Sequence, residues 1–134
     1  MKSGTADWVG KGLTIMDMFN YEEPTTDHEF IGTWHIYEME LWDSDYFNMQ
    51  QQAYIDIKPN NLGNLQFGLV SGYLDGYIEE EFGKEYFVFT WEGQDEMEPV
   101  TGSGWMKLLD KNEIVGSIKL HLGDRSGFSA SRAR

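Results

Sequence analysis

From Phe30 to Arg132 the chain is a series of short extended runs broken by turn residues, with no helical period between them. That pattern constrains the fold more than any other feature. The first run is Phe30 to Trp42. The second, Ala53-Tyr54-Ile55-Asp56-Ile57-Lys58, alternates apolar and polar residues as a half-buried strand does. Leu65, Phe67 and Leu69 mark a third, and further runs follow over residues 73–81, 85–91, 102–109, 114–120 and 127–132. Turns are predicted at residues 59–63, at Ser71-Gly72, at Phe82-Gly83-Lys84, over the acidic stretch 92–99, at Asp110-Lys111-Asn112 and at Gly123-Asp124-Arg125. The sequence therefore predicts an all-β, eight-stranded antiparallel up-and-down barrel over residues 30–134. Twisted strands in such number tend to close, which removes exposed edges. Closure would set the last strand, with Arg132 and Arg134, beside the first, with Glu38 and Glu40, and opposite charges favour that neighbourhood.

Residues 1–29 read as a leader with a short helix over 11–19, where Leu13, Met16 and Phe19 share a face, before Pro24. It is either a lid across one barrel mouth or a frayed tail. The absence of cysteine excludes a disulfide framework, thiolate catalysis and cysteine-based metal sites, and it suits a reducing cytoplasm. No secretory signal and no apolar run of membrane-spanning length is visible, so a cytoplasmic location is expected. Net charge is −13, and residues 30–109 hold fourteen acids against three bases, so nucleic acid is not an expected partner.

Gly32-Thr33-Trp34 at the head of an eight-strand meander resembles the opening of the calycins, the lipocalin-type barrels. That resemblance implies Trp34 at the closed end of the barrel, with an arginine from the last strand, here Arg132, over its ring. The chain also resembles a group of small uncharacterised bacterial proteins, to which no activity is attached. The shared blocks are Met39-Glu40-Leu41-Trp42-Asp43, Gln66-Phe67-Gly68-Leu69-Val70, Trp91-Glu92-Gly93-Gln94-Asp95-Glu96 and His121-Leu122-Gly123-Asp124-Arg125-Ser126-Gly127-Phe128.

If Trp34 points inward, a period of two carries Glu38, Glu40 and Trp42 inward with it. Two carboxylates between indole rings would form a pocket with a charged floor and raised acid pKa values; a bulge after Ile36 would turn them out instead. The expected ligand-binding residues are Trp34, Glu38, Glu40, Trp42, Trp91, His121 and Arg132. No zinc motif, EF-hand spacing or nucleophile elbow occurs, so no metal, cofactor or catalytic residue is expected. Two readings stand: a small calycin-like barrel binding an apolar or aromatic molecule among its rings, and an acidic interaction module, as a homodimer for instance, using outward Tyr37, Met39 and Leu41. An enzyme pairing Glu38 or Glu40 with His121 ranks below both.

Overall fold

The computed structural model describes residues 28–134. The expected leader helix over 11–19 lies outside the described residues. Eight strands run in chain order: β1 (Gly32–Met39), β2 (Tyr54–Ile57), β3 (Leu62–Phe67), β4 (Val70–Glu81), β5 (Lys84–Asp95), β6 (Glu98–Asp110), β7 (Glu113–Leu120) and β8 (Arg125–Arg132). Each pairs antiparallel with the next, and β8 pairs with β1, so the sheet closes into an up-and-down barrel. A single short helix, α1 (Ser44–Phe47), sits between β1 and β2, where the sequence had suggested a loop. Asp43 caps it: its Oδ1 accepts from Tyr46 N at 3.2 Å.

Closure follows from the alternation of side chains. Ile55 and Ile57 on β2, Leu65 and Phe67 on β3, Phe87, Phe89 and Trp91 on β5, and Ile114 and Ile118 on β7 are all buried, with outward residues between them. The β5 rings are the bulkiest row, and glycines on both neighbouring strands make room for them. A methyl group on Gly76 of β4 would stand 2.5 Å from the Phe87 ring, and one on Gly102 of β6 would stand 2.6 Å from Trp91 Nε1. The interior is thus filled by aromatic side chains lying over bare backbone, as a barrel of eight strands allows.

Three turns differ from the expected ones. The β3–β4 turn is Gly68-Leu69, and Ser71-Gly72 lies inside β4. Gly68 takes a left-handed φ of +57°, and the Tyr46 ring occupies the space where its side chain would be. Residues 92–99 are not a loop, because β5 and β6 run on to a turn at Glu96-Met97. Polar composition misled there, since both strands project past the β7–β8 turn and their outer faces are wet. Leu62 and Gly63, expected in a turn, open β3.

Candidate functional site

The end of the barrel where β1 starts is sealed by Trp34. The indole is fully buried, and its Nε1 donates to Phe30 O at 2.9 Å. Arg132 lies over the ring, its guanidinium carbon 4.2 Å from the centroid. The same guanidinium donates to the carbonyls of Ile31 (2.9 Å), Glu29 (2.8 Å) and Lys111 (3.0 and 2.8 Å). Phe30, Phe87 and His28 stack behind it, with centroids 5.9 to 6.0 Å apart. Every atom of this cluster holds the closure, and Trp34 and Arg132 leave no room for a ligand between them.

Glu38 and Glu40 do not face the interior. Ile36 pairs with Ala130 and Glu38 with the adjacent Ser129, so Tyr37 is an extra residue, a β-bulge. Beyond it the facing reverses: Met39 is buried, and Glu38 and Glu40 are exposed. An unpaired carboxylate resists burial, whereas a thioether does not, so the bulge settles the conflict in the sequence pattern. Met39 is accordingly no outward contact residue, while Tyr37 and Leu41 are exposed as expected. Glu40 serves the seam, its Oε1 accepting from Gly127 N at 3.1 Å. Arg132 stands opposite Trp34, away from both acids, so charge pairing is not what brings β8 to β1.

At the other end Trp42 is half-buried and rests on Phe67 and Tyr46, with centroids at 5.4 and 5.8 Å. Together with buried Phe47 it caps that mouth. Trp91 is buried beside Gly72 and Gly102, and its Nε1 meets no acceptor among the described residues. His121 is exposed in the β7–β8 turn; its backbone N donates to Thr101 O at 2.8 Å, and its ring makes no described bond to Asp124. The seven expected site residues thus divide between the two ends and the outer surface. They do not all form one pocket, but Glu38, Glu40 and Trp42 line an open outer groove of about 500 Å³. Among the described residues there is no cluster of three or more His, Asp or Glu side chains fit to hold a metal ion.

What the sequence reading missed lies outside the barrel. The β4–β5 hairpin stands clear of its neighbours: β3 pairs with β4 only as far as Asp75, and β6 pairs with β5 only from Phe87. Between them Glu79 to Tyr86 pair with one another. The tip is Phe82-Gly83, both with positive φ (53° and 78°), and Phe82 is 97% exposed. Glu79, Glu80, Glu81 and Glu85 surround it, and Glu80 sits directly across from Glu85. A Phe directly before Gly, at a turn position that favours Asn, was the signal available in the sequence.

The chain is therefore an all-β closed barrel with a filled interior, and its irregular chemistry is on the surface. Comparison with protein-family models, curated proteins and solved structures finds no match. No helix among the described residues is long and apolar enough to cross a membrane.

Proposed function

We propose that the protein is an acidic interaction module whose β4–β5 hairpin docks Phe82 into an apolar pocket rimmed by basic residues on a partner protein. The observation that carries this is the hairpin tip. A bulky residue in the left-handed region costs roughly 1 kcal/mol or more, and like charges directly opposed also destabilise a hairpin. Phe82 and the Glu80–Glu85 pair accept both penalties with no compensating side-chain hydrogen bond or ion pair among the described residues. An aromatic anchor among four carboxylates, with Lys84 across from Glu81 as the one cation beside it, suits recognition: the ring supplies affinity and the carboxylates supply orientation and encounter rate. Filled barrel space and outward Glu38 and Glu40 favour this reading over an acidic pocket within the barrel. The cytoplasmic location expected from the cysteine-free sequence is part of the proposal.

A photo-cross-linking side chain at position 82, used in the organism's own cells, tests it. The expected result is one discrete adduct, absent when the linker is moved to exposed Leu62 and lost when Glu79, Glu80, Glu81 and Glu85 are all changed to Lys. With the isolated partner, Phe82→Ser costs about 2 kcal/mol of binding, the scale of an interface anchor. Diffuse cross-linking, equal at both positions, would remove the proposal. An adduct to a second copy of this chain would make the partner a homodimer.

A second reading has one observation in its favour. The buried Trp91 Nε1 has no described acceptor, and buried donors are rarely left so. A small molecule carrying an acceptor and entering at the Trp42 end would satisfy it. Native mass spectrometry of freshly purified protein detects such a molecule if it is retained.

A further inference from the structure

We infer that the outer wall of the barrel carries a second site, a trough across β4 to β8 that binds a small anion built on a flat ring. The trough has a volume of about 540 Å³, within the range of small-molecule sites. Strand register sets out its contents in two parallel rows. One row runs Tyr77, Val88, Trp105, Ser117 across β4, β5, β6 and β7. The next runs Asp75, Thr90, Ser103, Lys119 and then Arg125 on β8. Tyr77 is 55% exposed and Trp105 is 39% exposed, so a ring face is open to solvent at the centre. The Trp105 ring is held by Tyr86, edge-on at 5.8 Å. It is a fixed platform for stacking, and Tyr77 stands along the same row.

Charge decides the class of ligand. Lys119 and Arg125 are direct cross-strand partners, and like charges so placed repel. In a chain of net charge −13, neither pairs with a carboxylate among the described residues. Lys119 Nζ reaches only the carbonyl of Leu120, at 3.2 Å. An anionic group lying between them would relieve the repulsion and accept charge-assisted hydrogen bonds from both. Asp75 closes the opposite end of that row, three strand intervals away from Lys119, about 14 Å at the usual spacing. The trough is therefore dipolar. It orients a ligand with its carboxylate, sulfonate or phosphate at β7–β8, its ring on Trp105, and any hydrogen-bond donor toward β4.

Titration with 2-naphthoate, followed by amide chemical shifts of isotope-labelled protein, tests the assignment. Saturable shifts are expected at Ser103, Trp105, Lys119 and Arg125. Naphthalene-2-methanol should bind at least tenfold more weakly. Lys119→Gln combined with Arg125→Gln should weaken naphthoate at least tenfold, as should Trp105→Leu, while Lys58→Gln leaves it unchanged. These are surface positions, and an unchanged melting temperature certifies the variants. Absence of saturation at roughly 5 mM naphthoate, near the weak limit of specific binding, would overturn the inference. So would equal affinity in the double variant, or shifts centred on Trp91 or Phe82 in place of the trough.

Discussion

Phe82 is the residue at which fold and use diverge. The Phe82-Gly83 turn has positive φ at both central positions, the geometry that Asn-Gly adopts without strain. Phe82→Asn should therefore raise the stability of the isolated protein by about 0.5–1 kcal/mol, read from urea denaturation. A variant more stable and unable to bind would show strain retained for contact. A destabilised variant would mean that the ring supports the hairpin after all. Trp34 and Arg132 mark the other extreme. Their contact was expected only through the resemblance of Gly32-Thr33-Trp34 to the calycin opening, and Arg132 does lie over the Trp34 ring.

At the scale of the element, β1 decides between the two readings of Glu38 and Glu40, in favour of the bulge after Ile36 that turns them out. Period-two reading assumes an unbroken ladder, and a single bulged residue inverts everything after it. Nothing local announces a bulge at Tyr37; it follows from which side chains the finished interior accepts. The turn at Gly68-Leu69 was hidden for a related reason, since Tyr46 on distant α1 fills the space beside Gly68. The bulged residue has its own chemistry. Tyr37 Oη donates to Glu113 Oε2 at 2.9 Å, and that hydrogen bond, then burial, then the Glu113 charge, holds its pKa above the usual tyrosine value. Below pH ~10 the phenol is neutral folded or unfolded, and its contribution is whole. Above that the unfolded chain loses the proton first, so stability falls as pH rises through the folded pKa. Urea midpoints should therefore decline more steeply above about pH 10 in the natural protein than in Tyr37→Phe. Parallel declines would show that the bond does not persist in solution.

At the scale of the molecule, the all-β meander and its closure were readable because seven of the eight joints link neighbours in sequence, six of them through short turns and the first through α1. The eighth joint is of another kind. Arg132 reaches Ile31 across 101 positions, and β8 pairs with β1 across the whole intervening meander. Contacts so distant along the chain are made late, after the entropy of the loop is lost. Contact order predicts that Arg132 acts as a latch, dropping after the rate-limiting step. Arg132→Met removes a cation–π contact and four hydrogen bonds, worth roughly 2 kcal/mol together given the partial exposure of the guanidinium. Stopped-flow chevrons should assign nearly all of that loss to unfolding, faster by about tenfold or more, with refolding almost untouched. Slowed refolding would place the seam in the nucleus. With a late latch, the lifetime of the closed ring is set where its two distant strands meet, and it can be tuned without altering how the ring is made.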